Sequence, residues 1–235
     1  MSSKKYFDEV ALQWDNMQQS LFSEDVREKA FSAAGVKKGK IAADIGAGSG
    51  FITEGLIDKG LNVIAVDQSE AMLAEMRNKF SSAEEIEYRL GKAEKLPIPD
   101  EAVDYAFANM YLHHVESPLK AIKEMVRILK PGGGLMILDI VLLKELPDSI
   151  KNSIEAYVGC VSWAVLKDKY IEAIEEAGFK EVRIIDETSF PYESLENDPT
   201  SRAIIENLNI SPEEAKEAVS SVISINIYGI KSLQD

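Results

Sequence analysis

The sequence predicts an α/β protein, a mostly parallel sheet with helices on both faces. Two observations carry that expectation. Short apolar runs alternate along the chain with stretches whose apolar residues recur at helical spacing, as in successive strand–helix units. The run that opens at Ile41 and closes on the acid Asp44 leads into three alternating glycines, Gly46, Gly48 and Gly50, before Phe51, Ile52 and Leu56 resume at helical spacing. Strand, glycine loop and helix in that order let a ligand approach backbone N–H groups at a helix N-terminus.

Each element can be justified in turn. Residues 4–16 read as a helix with Phe7, Val10, Ala11 and Trp14 on one side. Ser23 is placed to cap a second helix, with Glu24 and Asp25 in its first turn and Gly35 at its end. After the glycine loop and its helix, Val63–Val66 is a second strand, closed by Asp67. Ser69 opens a helix whose Met72, Leu73, Met76 and Phe80 share a face. Ile86–Leu90 is a third strand and Val103–Ala108 a fourth, reaching Asn109 and Met110. Ser117-Pro118 starts a helix with Leu119, Ile122, Val126 and Leu129 inward, and Lys130-Pro131-Gly132 stops it. Leu135–Val141, almost wholly apolar, is a central fifth strand. Asp168 is expected to cap a helix carrying Ile171, Ile174 and Ala177, ended by Gly178. Val182–Ile185 is a sixth strand and Val222–Ile230 the last, where Ile223, Ile225 and Ile227 alternate. Residues 142–166 and 190–220 exceed a compact connection and are expected to be lids or binding loops, the second structured from Ser211-Pro212 onward.

Composition narrows the partners. Forty acids against 26 bases leave a formal charge of −14, and no Lys/Arg-rich run offsets it. That argues against a nucleic-acid partner, whose phosphates must be neutralised by bases. No apolar stretch approaches the ~20 residues of a membrane span. One cysteine rules out an internal disulfide and fits a reducing cytoplasm. The expectation is a cytoplasmic protein, monomer or homodimer, acting on a small molecule.

The loop's details select the ligand. The dinucleotide pattern G-x-G-x-x-G needs a glycine where Phe51 stands. Asp44, two residues before the first glycine, would repel a diphosphate resting on the same helix N-terminus but suits an ammonium group. Asp67 lies about the ~20 residues downstream expected of an acid that takes a ribose hydroxyl pair. Ammonium at one strand end and ribose at the next describes S-adenosylmethionine better than a nicotinamide cofactor.

The segments D-I-G-A-G-S-G at 44–50, V-I-A-V-D-Q-S-E-A-M-L at 63–73 and L-K-P-G-G-G at 129–134 resemble the signatures of class I S-adenosylmethionine-dependent methyltransferases. G-K-A-E-K-L-P at 91–97 and N-M-Y-L-H-H-V at 109–115 are similar to the branch holding the ubiquinone/menaquinone-biosynthesis and arsenite methyltransferases. The resemblance implies a Rossmann-like seven-stranded sheet, mostly parallel with an antiparallel last strand, under a helical cap. It implies one domain over 1–235: an N-terminal helical lid at 1–35, a cofactor-binding core at 36–141, and a substrate-side half at 142–235 carrying the two excursions. S-adenosyl-L-methionine, leaving as S-adenosyl-L-homocysteine, would be held by Asp44, Gly46, Ala47, Gly48, Gly50, Asp67, Gln68, Met72, Ala93, Glu94, Asn109 and Met110. Met72 reads equally well as a plain core methionine, and Lys92 stands where many relatives carry an acid. Tyr6, Trp14 and Phe22 are the candidate lid residues, although Trp14 is better read as packing the cap onto the core.

The sulfonium is already electrophilic, so such an enzyme mainly aligns acceptor and methyl and excludes water. No conspicuous acid–base constellation is therefore required. If the acceptor must lose a proton, His113, His114 or Tyr157 could take it. The adjacent histidines lack an acidic or thiol partner at ligand spacing, so no metal site is expected. Cys160 lies in a segment similar to a cysteine-bearing segment of arsenite methyltransferases, which hold arsenic with several thiolates where this chain has one cysteine. Cys160 is expected beside the acceptor or as a buried, inert core residue. An arsenite- or thiol-type acceptor, a cofactor-binding sensor or scaffold without turnover, and a nicotinamide-dependent oxidoreductase are the competing readings.

Overall fold

The computed structural model of the chain describes residues 3–15, 23–146, 164–189 and 212–233. Seven strands form one sheet: β1 (Ile41–Ile45), β2 (Asn62–Asp67), β3 (Ile86–Leu90), β4 (Val103–Asn109), β5 (Leu129–Leu142), β6 (Phe179–Ser189) and β7 (Val222–Lys231). Their order is β3-β2-β1-β4-β5-β7-β6. Only β7 runs antiparallel to its neighbours, the others being parallel where they pair. Among the described residues the helices are α1 (Ser3–Val10), α2 (Glu24–Ala34), α3 (Phe51–Asp58), α4 (Glu70–Lys79), α5 (Pro118–Ile128), α6 (Lys167–Glu176) and α7 (Pro212–Val219). The predicted Rossmann-like architecture, antiparallel last strand included, is the one observed.

The central strands bury side chains on both faces, which is why they read as continuous apolar runs. Ala43, Ile45, Val66 and Ala106 pack with Ile122, Met125 and Ile174 of α5 and α6. Ala42, Val63, Phe107 and Met136 pack on the other face with Phe31, Ile52 and Leu56 of α2 and α3. Phe31 meets Phe107 edge-on, with ring centroids 5.4 Å apart.

Several local expectations need correcting. Ser23 is extended ahead of α2 but makes no capping bond with its side chain. The αL conformation of Gly35 does close that helix. Asp168 lies inside the first turn of α6, and Leu166 holds the cap position. The buried stripe of α5 is Ala121, Ile122, Met125 and Ile128, with Leu119 and Val126 only half-buried, because the chain leaves the helix before Leu129. Leu129 already pairs with Val103, so β5 starts six residues earlier than its apolar run suggests. A register shift absorbs the intervening Lys130–Gly133, where Gly132 takes φ 74°. β6 extends to Ser189 through Asp186, Glu187 and Thr188, and its exposed polar residues hide it from hydrophobicity. Charges on an edge strand discourage pairing with another chain.

Candidate functional site

The strand order reverses between β1 and β4, and a cleft of about 530 Å³, its open mouth included, lies beyond their carboxyl ends. The β1–α3 segment lines it with Asp44, Gly46, Ala47, Gly48, Phe51 and Ile52, and the β2–α4 segment with Asp67, Gln68 and Met72. Asn109, Met110 and Tyr111 close it from β4, and Phe7 and Trp14 from the N-terminal helix. Nine of the twelve residues expected to hold the cofactor therefore share one cleft: Asp44, Gly46, Ala47, Gly48, Asp67, Gln68, Met72, Asn109 and Met110.

Two buried carboxylates shape its electrostatics. Asp44 Oδ2 accepts hydrogen bonds from the Thr53 backbone N–H at 3.0 Å and from its hydroxyl at 2.6 Å. Burial outweighs both bonds and pushes the Asp44 carboxyl up to about 7, with repulsion from Asp67 adding to the rise. Asp67 accepts the Gly48 N–H on Oδ2 at 2.9 Å and the Ser69 N–H on Oδ1 at 2.8 Å. Burial raises its pKa too, against the lowering effect of the Ser69, Gly48 and Gln68 N–H groups. A carboxylate offers about four acceptor sites, so both acids keep capacity for a further donor. Two carboxyl groups in one apolar-walled cleft suit a cation and hydroxyl groups, and not a diphosphate.

Glycine is needed here for space as well as conformation. Gly46 has φ 71°, and a Cβ built on it would lie 2.1 Å from Tyr111 Cγ. At Gly50, φ 96°, a Cβ would meet the Phe80 ring at 2.6 Å. Gly50 thus shapes the loop without lining the cleft.

The N-terminal helix closes over this loop. The Ser69 hydroxyl donates to Asp8 Oδ1 at 2.6 Å, and the Ser49 hydroxyl donates to Asp15. Both acids come to rest beside the N-termini of α4 and α3, where the helix dipoles favour negative charge. Trp14 Nε1 lies 3.5 Å from the place of a Gly48 Cβ, so its indole borders the cleft and does more than pack the cap. Phe7 packs edge-on against Trp14 at 5.2 Å and against His114 at 5.1 Å. Tyr6 packs on Phe7 and does not line the cleft, and Phe22 lies outside the described residues.

The remaining candidates stand apart. Ala93 is buried in the apolar core, and Glu94 accepts the Glu116 N–H at 3.0 Å. His113 is buried with Nδ1 2.5 Å from Asp139 Oδ1, while Tyr170 donates to Asp139 Oδ2 at 2.8 Å. The His114 ring lies tilted against His113, with centroids 4.0 Å apart, and burial holds its pKa well below the ordinary 6.5. Neither histidine lines the cleft. The acidic partner that sequence spacing did not reveal for His113 is Asp139, 26 residues away on β5. Tyr157 and Cys160 lie outside the described residues.

Sequence reasoning missed Phe7, Phe51, Ile52 and Tyr111 as cleft walls and Thr53 as the support of Asp44. Tyr111 could have been found, since it directly follows two nominated residues. Thr53 could not, because nothing in helical periodicity singles out a hydroxyl that turns back to a strand end.

Comparison with known proteins follows the same lines. Residues 43–137 match a family described as a methyltransferase domain. An arsenite methyltransferase of Halobacterium salinarum is 30% identical over 161 residues, covering 66% of this chain and 41% of that protein. A demethylmenaquinone methyltransferase of Renibacterium salmoninarum is 33% identical over 134 residues, covering 56% of this chain and 55% of that protein. The chain thus spans about half the length of these curated relatives. Among solved structures, a phosphoethanolamine N-methyltransferase of Haemonchus contortus in complex with S-adenosyl-L-methionine superposes with TM-score 0.71. It is 19% identical over 98% of this chain and 58% of that one, a likeness of fold alone.

Proposed function

Residues 43–137 match a methyltransferase domain, and from that premise we propose that the chain transfers the methyl group of S-adenosylmethionine to a small-molecule acceptor. One observation carries the reading: Asp44 and Asp67 are buried at adjacent strand ends on either side of a glycine loop, in one cleft. The residues present fit the cofactor. Asp44 would take its ammonium group, Asp67 its ribose hydroxyls, and the Gly46–Gly48 backbone would lie against it; Asn109 and Met110 border the methionine end.

Bound there, the cofactor supplies an electrophilic methyl group. The protein's part is alignment and dryness. Phe7, Trp14 and Phe51 wall the cleft with apolar surface, and the Asp8–Ser69 and Asp15–Ser49 bonds hold the lid down. Among the described residues neither His113 nor His114 lines the cleft, and the two acids that do, Asp44 and Asp67, are assigned to the cofactor. That suits direct displacement at the sulfonium by an acceptor already nucleophilic. The protein acts in the cytoplasm, as monomer or homodimer, without a nucleic-acid partner; among the described residues no helix is long and apolar enough to cross a membrane.

Two relatives are named for small acceptors, arsenite and demethylmenaquinone, and this favours turnover over a cofactor-binding scaffold. A nicotinamide oxidoreductase is disfavoured by Asp44 and Phe51. Incubation with methyl-deuterated S-adenosylmethionine and a panel of thiol, phenol, amine and arsenite acceptors, read by mass spectrometry, tests the reading. A labelled product from any of them supports it. Cofactor binding with no product from the whole panel would favour the scaffold.

A further inference from the structure

Thr53 is fully buried in the first turn of α3. Its N–H is one of the four that open a helix without an intrahelical acceptor. Asp44 supplies that acceptor from β1: Oδ2 takes the Thr53 N–H at 3.0 Å and the Thr53 hydroxyl at 2.6 Å. Both bonds fall on the same oxygen. Among the described residues Oδ1 accepts no hydrogen bond, and Asp44 lines the cleft. One oxygen of the carboxyl group is therefore fastened to the helix, and the other is left for a ligand.

The charge around it is one-sided. Asp67 faces Asp44 from the end of β2, and the β4 side contributes only Asn109, Met110 and the phenol of Tyr111. The N-terminal segment brings Phe7 and Trp14 to the cleft, while its acids Asp8 and Asp15 turn to Ser69 and Ser49. Beside Thr53 on α3, Glu54 meets Arg27 of α2 and Lys79 of α4. Among the described residues no basic side chain lines the cleft. Burial outweighs the two Thr53 bonds, so with no cation beside it Asp44 holds a proton below about pH 7. Two donors on Oδ2 leave that proton to Oδ1.

We propose, resting on the methyltransferase reading, that Thr53 is a positioning residue: it holds Oδ2 of Asp44, so that the ammonium group of the cofactor meets Oδ1 and displaces the proton there to solvent. Thr53 does not line the cleft and acts through Asp44. Cofactor recognition is thereby coupled to the release of one proton. A nucleoside without the ammonium group binds with no such exchange.

Calorimetric titration of the full chain at pH 6.5, in phosphate and in imidazole, counts the protons, because the two buffers differ in ionisation enthalpy. S-adenosylhomocysteine should release most of one proton, and 5′-methylthioadenosine, which lacks the ammonium group, almost none. T53V has nearly the shape of threonine without its hydroxyl. It should move the midpoint of the affinity–pH profile up by about one pH unit, and weaken binding at pH 6.5 about tenfold, the worth of one charge-assisted hydrogen bond. T53A should act in the same direction, T53S should return both values toward wild type, and melting curves show which variants are folded. Binding of S-adenosylhomocysteine without proton release, or equal release with methylthioadenosine, would overturn the proposal. So would a midpoint unmoved in the folded variants that lack the hydroxyl. No binding of either nucleoside by wild type would overturn the methyltransferase reading itself, and this proposal with it.

Discussion

Asp44 is the residue on which the chemistry of the cleft turns. Burial pushes its carboxyl from the ordinary 3.8 of a solvated aspartate up to about 7 in the folded chain. Between those values the folded state holds a proton that the unfolded state has lost. The residue's contribution to stability therefore falls as pH rises from about 4 to about 7. A cationic ligand reverses the preference, because it needs the ionised form. Affinity for S-adenosylmethionine should accordingly rise as pH is raised through 7. Asp44→Asn should flatten that profile in calorimetry while raising the ligand-free melting temperature at pH 8. A profile with no step near 7 would mean that Asp44 does not meet the ammonium group. At Asp67 asparagine is a more informative variant than alanine. Its oxygens hold the Gly48 and Ser69 N–H groups, so alanine would loosen the loop as well as lose the ligand contact. Asp67→Asn keeps an acceptor and should weaken binding about tenfold, the worth of one charge-assisted hydrogen bond. Unchanged affinity would remove Asp67 from the ribose. Both acids were legible because each ends an apolar run beside a glycine or a helix start. Tyr111 was passed over although it directly follows Asn109 and Met110, because an aromatic after a strand looks like any core residue until the opposing glycine is seen.

Among the elements, the N-terminal helix and the His113 turn carry the clearest consequences. α1 through Asp8, and the segment after it through Asp15, are tied to the cofactor loops at Ser69 and Ser49, which sit at helix starts. Asp8→Ala with Asp15→Ala should leave the sheet intact and speed release of S-adenosylhomocysteine in stopped-flow competition. An unaltered release rate would show that the helix does not act as a lid. Asp139 joins three elements, since it accepts from Tyr170 of α6, the Ile140 N–H of β5 and the imidazole after β4. Removing a buried acceptor that leaves two or more donors unpaired costs about 3–5 kcal/mol. Asp139→Ala should lower the urea unfolding free energy by that order, and a loss under 1 kcal/mol would mean the network adds little. The caps Ser69 and Ser117 could be read from residue order, whereas the helix expected over residues 4–16 stops at Val10 and tightens into a 3-10 turn at Ala11–Gln13. The stripe of α5 could not be read either, because it depends on whether Leu129 belongs to the helix or to the following strand.

At the scale of the molecule, the strands buried on both faces were the most legible, namely β1, β2, β4 and the apolar part of β5. Their apolar runs are what a parallel sheet under helices requires. The edge was harder. β6 alternates charge with apolar residues, and the extent of its pairing with β7 is a property of the sheet rather than of its own sequence. Strand order brought the candidate site together: β1, β2 and β4 bring residues from 44 to 111 into one cleft, which no local pattern displays. The expected excursions fall largely on residues 147–163 and 190–211, outside those described, so Cys160 beside an acceptor pocket stays an expectation. The central claim is that this cleft is built for a sulfonium nucleoside and not for a dinucleotide. Calorimetry of the wild-type chain at pH 8 with S-adenosylmethionine, S-adenosylhomocysteine and NAD tests it most directly. The account predicts saturable binding of the first two and no heat from NAD; saturable NAD binding without either nucleoside would contradict it.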